Sequence, residues 1–260
     1  MAGPGADDGL VTLAHALAIA FAGGWAGMIN TIVGSGTLVT FPVLLAVGYP
    51  PLTANVSNGL GLVPGSLAGA IGYRRELTGL RGRVVRLAVA SVLGGLVGAA
   101  LLLSLPASAF EAVVPALVGL AVVLVIAQPF LARRVAAGRG GERTRVGPVL
   151  LAGTFGTGVY GGYFGAAQGV LLLALLGIGL DDDLQRHNAV KNVAAMLVNL
   201  VSGLVFAAVA PVSWPAVGLI AGGAAVGGVI GARLGRRLRP AVLRAVIVLV
   251  GVAAIVQLLG

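Results

Sequence analysis

The chain has no cysteine, two histidines and eight carboxylates among its 260 residues. Without cysteine there can be no disulfide, thiolate metal site or cysteine nucleophile. So few histidines and acids leave little material for a metal centre, and neither a metal nor a cofactor is expected. Charge is scarce throughout: charged residues make up 10% of the chain and hydrophobic residues 58%, with a mean hydropathy of +1.04. A soluble domain of this length needs a charged surface, and this composition does not supply one. A leader peptide is also unconvincing. The first ten residues hold Asp7 and Asp8 but no cation, so the first apolar run is expected to stay as a membrane segment.

Glycine is abundant at 43 residues. That suits close-packed membrane helices and irregular backbone within them. Apolar stretches run over Val11–Val33, Leu38–Val47, Thr53–Tyr73, Val84–Leu103, Ala109–Ala132, Gly147–Phe164, Val170–Leu180, Asn188–Ala208, Trp214–Ala232 and Pro240–Leu259. The third to fifth and the last three approach the ~20 residues that a bilayer core demands. The second and seventh cover only about half of it. Each of these short runs follows a glycine-rich break, Gly34-Ser35-Gly36 or Gly165-Ala166-Ala167-Gln168-Gly169. Each pair reads as a helical hairpin that enters the membrane and leaves on the same side. Such backbone survives there only when protein or a water-filled cavity surrounds it.

The net charge of +9 would suggest a nucleic-acid partner in a soluble protein. Here the cations lie between apolar runs, and no nucleic acid is expected. All 17 Lys and Arg fall within Arg74–Arg86, Arg133–Arg145, Arg186–Lys191 and Arg233–Arg244. Counting the hairpins as same-side excursions puts all four stretches on one face. By the positive-inside rule that face is cytoplasmic and both termini are extracytoplasmic, in the cytoplasmic (inner) membrane. Membrane lipids are then the partners of the Arg clusters, with an anion-attracting vestibule as a secondary role.

The two halves repeat at an offset of about 133 residues. Gly95-Leu96-Val97-Gly98-Ala99 recurs as Gly228-Val229-Ile230-Gly231-Ala232, and Gly36-Thr37-Leu38 as Gly169-Val170-Leu171. Ala54-Asn55-Val56-Ser57-Asn58 recurs as Asn188-Ala189-Val190-Lys191-Asn192. The first half begins outside and the second inside. The expected fold is therefore an all-α polytopic membrane protein of two inverted-topology repeats, each a broken helical hairpin plus three transmembrane helices. Residues 1–132 form the first repeat, 133–146 a basic cytoplasmic linker and 147–260 the second. Many secondary transporters are built this way, with the substrate near the midplane.

Gly24-Trp25-Ala26-Gly27, Gly34-Ser35-Gly36, Pro42 with Leu44, and Ala54 leading to Ser57-Asn58 resemble the sulfite exporter TauE/SafE family. The resemblance extends over essentially the whole chain, through Gly161–Gly169 and Asn188–Asn192. Thr37 stands where members often carry a third small residue. The resemblance implies an integral membrane transporter of a small anion such as sulfite or an organosulfonate. The alternatives are a channel-like anion facilitator and a non-transporting assembly subunit. A membrane enzyme would need a nucleophile, metal cluster or acid pair on one face, and none is visible.

The candidate substrate-binding residues follow from the breaks. Asn30, Ser35, Gly36 and Thr37 mark one tip, and Tyr163, Gln168 and Gly169 the other. Half-helices starting at Leu38 and Val170 would present N–H groups and partial positive charge to an anion. The competing reading is that these small residues only permit tight packing. Asn55, Ser57 and Asn58 open the third run. Asn188, Lys191 and Asn192 open the eighth on one helix face, extended by Asn199. Asn188 could instead cap the helix, and Lys191 could snorkel to headgroups. His187 reads as a solvated loop residue or a proton-coupling group. His15 reads as a headgroup contact, and Asp181-Asp182-Asp183 as a solvated turn or a cation site.

Overall fold

Glycine placement decides how the helices meet. The computed structural model describes residues 12–137, 145–235 and 240–259. The helices are α1 (Leu13–Ile32), α2 (Thr37–Ala46), α3 (Pro51–Gly61), α4 (Val63–Gly72), α5 (Arg81–Ser104), α6 (Ala107–Ala137), α7 (Pro148–Tyr163), α8 (Gln168–Gly179), α9 (Leu184–Val209), α10 (Trp214–Leu234) and α11 (Pro240–Leu259), with a 3-10 turn at Arg74–Leu77. No strand occurs among the described residues. Among the described residues, five helices are long and apolar enough to cross a bilayer: α1, α5, the Ala107–Phe130 part of α6, α9 and α10. This is a multi-pass membrane protein. Helices α2 and α8, at 10 and 12 residues, are too short to cross. Most of the basic 133–146 linker lies outside the described residues, as does much of the Arg233–Arg244 stretch.

One expected span is broken. The Thr53–Tyr73 run forms two helices, α3 and α4, joined at Leu62. Pro64 lies in the first turn of α4, where its missing N–H cannot continue the α3 hydrogen-bond ladder.

The tightest contacts join the two halves of the chain. α1 packs along α10, and α5 along α7. A Cβ placed on Gly23 would lie 2.8 Å from the Ile220 carbonyl oxygen, and one on Gly158 would lie 2.5 Å from that of Ser91. Both helix pairs touch through backbone, the geometry small residues allow in a bilayer. α3 and α4 also pack on α10, α5 on α9, α2 and α6 on α11, and α8 on α6.

Both expected breaks are present and share one hydrogen-bond pattern. Gly34 (φ 91°) ends α1 and Gly165 (φ 77°) ends α7. Ile29 O accepts from Val33 N (2.7 Å) and Gly34 N (3.1 Å), while Tyr160 O accepts from Phe164 N (2.9 Å) and Gly165 N (3.0 Å). Left-handed backbone at these positions is a glycine conformation and a common helix stop. The half-helices begin at Thr37 and Gln168, one or two residues before the expected starts.

The ends of the bundle are tied across the halves as well. Asp182 accepts from Arg83 of α5 at 2.6 Å and from Arg186 of α9 at 3.3 Å. The Asp183 side chain caps α9, accepting from Gln185 N and Arg186 N at 2.8 and 2.9 Å. The aspartate run is thus a paired and capping turn, not merely a solvated one. No group of three or more potential metal ligands occurs among the described residues. At the opposite end, Ser213 at the start of α10 donates its N–H to Ser57 Oγ (2.9 Å) and its hydroxyl to Tyr49 Oη (3.3 Å).

Candidate functional site

A helix that stops inside a bundle leaves carbonyls without partners in its last turn. Here those carbonyls are met by polar side chains from the other half of the chain. Lys191 Nζ donates to Asn30 O (2.9 Å) and Thr31 O (3.0 Å), and Asn192 Nδ2 to Thr31 O (3.3 Å). The reciprocal contact is made by Asn55, whose Nδ2 donates to Tyr163 O at the end of α7 (3.0 Å). Helix α9 therefore closes the end of α1, and α3 closes the end of α7.

The two breaks touch. Gly169 N donates to Gly34 O at 3.0 Å, so this N–H serves the other tip and not a ligand. A Cβ on Gly34 would lie 3.2 Å from Lys191 Cδ, and one on Gly169 3.0 Å from it. The lysine stem runs past both glycines, which leave it room only because they carry no side chain.

Beside this junction lies a small open cavity of about 10 Å³, lined by Thr37, Asn55, Asn58, Gly59, Gly161, Gly162, Tyr163, Phe164, Asn199, Ser202 and Phe206. Asn58 organises its wall. It donates to Thr37 Oγ1 at 3.0 Å and accepts from Thr40 Oγ1. Edge-to-face contacts of Phe164 with Phe41 (5.3 Å) and of Tyr163 with Phe110 (5.8 Å) fix the α7 end of the wall. All the lining residues are uncharged.

Five expected residues are thus gathered at the cavity: Thr37, Asn55, Asn58, Tyr163 and Asn199. The others lie elsewhere. Asn30 is buried and donates to Ser66 Oγ at 2.9 Å. Ser57 accepts from Ser213 N. Gly36 precedes α2, where a Cβ would lie 3.0 Å from Asn30 Cβ. Gly169, Lys191 and Asn192 form the junction itself. Ser35 Oγ, Gln168 Nε2 and Asn188 Oδ1 are buried with no hydrogen-bond partner among the described residues. Two of these, Ser35 and Gln168, sit at opposite tips.

The structure decides three local readings. Asn188 does not cap α9: Asp183 does, and Asn188 lies inside the helix, buried on one face with Lys191 and Asn192. Lys191 does not snorkel, because its side chain is 0% exposed and bonded inward. His187 is not solvated, being 5% exposed within the first turn of α9.

Sequence reasoning missed Ser202, Phe164 and Phe206 on the cavity wall, Thr40 behind it, bonded to Asn58, and Ser66, the partner of Asn30. Ser202 carried a signal, standing three residues past Asn199 and so on the same face of α9. The two phenylalanines look like any core residue in the sequence.

A family model described as sulfite exporter TauE/SafE matches residues 19–258. The chain is 29% identical over 189 residues to the probable membrane transporter protein YfcA of Escherichia coli strain K12, covering 69% of this chain and 68% of that one. It is also 29% identical over 163 residues to the probable membrane transporter protein ORF9 of a Sinorhizobium species, covering 60% of this chain and 58% of that one. No solved structure matches the chain.

Proposed function

This chain belongs to the sulfite exporter TauE/SafE family, and from that premise we propose that it moves a small anion across the cytoplasmic membrane by way of the cavity beside the paired breaks. Sulfite, an organosulfonate or a similar species is the cargo. The observation that carries this reading is the cavity wall. It combines amide and hydroxyl groups from α2, α3 and α9 with the backbone of α7, and no carboxylate lines it to repel an anion. A small anion entering a low-dielectric site loses its hydration and needs such donors in return. Thr37, Asn55, Asn58 and Asn199 supply them. Ser35 and Gln168 hold unused polar atoms at the tips for an anion passing between the states of the cycle.

The same reading takes the halves as inverted repeats, residues 1–132 and 147–260 joined by the cytoplasmic linker 133–146. It is supported by the reciprocity of the contacts. α1 lies on α10 as α7 lies on α5, and each break is closed by the third segment of the opposite half. Inverted repeats exchange outward- and inward-open states by rocking one set of elements on the other. The cations at Arg81, Arg83, Arg86, Arg186 and Arg233 then face the cytoplasm, with both termini outside. A solute carrier of this kind performs no covalent chemistry.

The test is flux. The purified protein in liposomes should release trapped sulfite or methanesulfonate faster than protein-free liposomes, with saturation at high concentration. Saturation favours a carrier, and linear flux a channel-like facilitator. No flux of any small oxyanion would leave an assembly subunit as the function.

A further inference from the structure

At the end of α1 a lysine nitrogen sits where the other break uses an amide. The carbonyls of Asn30 and Thr31 point out of the last turn, at the negative end of the helix dipole. At the matching end of α7 the Tyr163 carbonyl is served by an uncharged amide, that of Asn55. The position in the first half that corresponds to Lys191 is Ser57, whose hydroxyl accepts from Ser213 N. Of the two breaks, only that of α1 is served by a lysine, and its side chain is fully buried.

Nor is its charge met by an acid. Among the described residues the ion pairs are Arg83–Asp182, Arg186–Asp182 and Arg186–Asp183, and none includes Lys191. Its ammonium is held by carbonyl oxygens at 2.9 and 3.0 Å. Taking an ammonium out of water without a counter-charge costs several kcal/mol, so it stays charged there only where oxygen ligands such as these carbonyls replace its water. Carbonyls at the C-terminal end of a broken helix are also the groups with which broken-helix transporters hold a small coupling cation.

We propose that the Asn30 and Thr31 carbonyls form a monovalent-cation site that the Lys191 ammonium fills as a tethered ion, and that the vacated site takes a free cation from solution when the ammonium is removed. The protein carries its own cation at the break between its two halves, so its cycle needs no metal ion there. Gly34 and Gly169 are part of the device. A side chain on either would meet Lys191 Cδ and the opposite glycine backbone, closing the path by which the ammonium reaches the carbonyls.

The inference rests on these contacts rather than on the identity of the cargo, and its test reads stability, so its failure is distinct from a failure of anion transport. Thermal unfolding is measured in detergent for the wild type, Lys191→Met and Lys191→Ala. The salts are the chlorides of ammonium, potassium, sodium and N-methylglucamine at equal ionic strength. In N-methylglucamine both variants should melt roughly 5 °C or more below the wild type. For Lys191→Ala, ammonium or an alkali cation should restore at least about half of that shift, saturating with concentration as single-site binding requires. The wild type should not distinguish the four salts. The proposal is overturned if the variants melt with the wild type in N-methylglucamine, or if they are destabilised equally in all four salts. It is equally overturned if neither variant can be purified folded in any of them, since a free cation then does not replace the tethered one.

Discussion

Replacing Asn58 with aspartate tests the cavity most directly, because it changes charge while leaving shape almost untouched. Asn58 is 1% exposed, donates to Thr37 Oγ1 at 3.0 Å and accepts from Thr40 Oγ1. A carboxylate has the volume of the amide. Thr40 can go on donating to Oδ1, and the Thr37 hydroxyl can turn round and donate to the new oxygen, so the wall keeps its bonds. What changes is a negative charge facing the cavity. For an anion about 5 Å away and an effective dielectric near 20, the repulsion is about 3 kcal/mol, or roughly two orders of magnitude in affinity. Asn58→Leu makes the opposite trade. It adds no charge but removes the partner of the Thr37 hydroxyl and leaves Thr40 only the Gly36 carbonyl at 3.4 Å, at a cost of about 1–3 kcal/mol of stability. The assay is sulfite release from proteoliposomes at low sulfite, with the unfolding temperature of each variant measured alongside. The aspartate variant should lose nearly all flux and melt below the wild type, because its buried carboxylate gains no counter-charge. The leucine variant should be less stable yet retain more flux than the aspartate. A folded Asn58→Asp protein that transports sulfite within about threefold of the wild type would refute the placing of the anion in this cavity.

Two further outcomes are expected. Gly158→Ala should destabilise the protein by about 1–3 kcal/mol in a denaturant or thermal series, since its Cβ would lie 2.5 Å from Ser91 O. Gly156→Ala on the same helix, where nothing lies within 4 Å, should be neutral or stabilising by up to about 1 kcal/mol; equal effects at the two sites would mean that α5 and α7 do not meet there. On this cysteine-free background, Gly140→Cys should react with an impermeant maleimide only after the cells are opened, and Ser108→Cys should react in intact cells. The reverse pattern would invert the orientation.

The breaks were legible because their signal is local. Glycine and small polar residues interrupt an apolar run, and the run that follows is too short to cross a bilayer. This reasoning needs no knowledge of partners, and it located both breaks to within a few residues. The kink at Leu62 had a local cue of its own in Pro64, masked by the hydrophobicity around it. Lys191 was ambiguous for a different reason. Its stem is long enough to reach headgroups or the interior, and only contact with carbonyls 160 and 161 residues away decides between them. Asn188 was the residue weighed as the cap of α9, but Asp183 takes that place by standing outside the first turn with an acceptor that two backbone N–H groups can reach. Along α9 the polar stripe was readable to Asn199. The cavity itself was not, because glycine-rich helices leave their mutual register unstated in the sequence.

The exchange of helices between the halves also bears on how the chain is assembled as it leaves the ribosome. α1 is made early, yet the glycine ridge along which it packs belongs to α10, which is made some 200 residues later. α5 likewise waits for α7. Neither half can complete its tightest contacts alone, and α1 has the lowest mean hydropathy of the five candidate spans, 1.3. During synthesis α1 therefore sits in the lipid as a weakly apolar helix with its glycine face uncovered, exposed to mispairing until the last third of the protein arrives. Expression of the two halves as separate polypeptides would make this interval concentration-dependent, turning a slow step within one chain into an encounter between two.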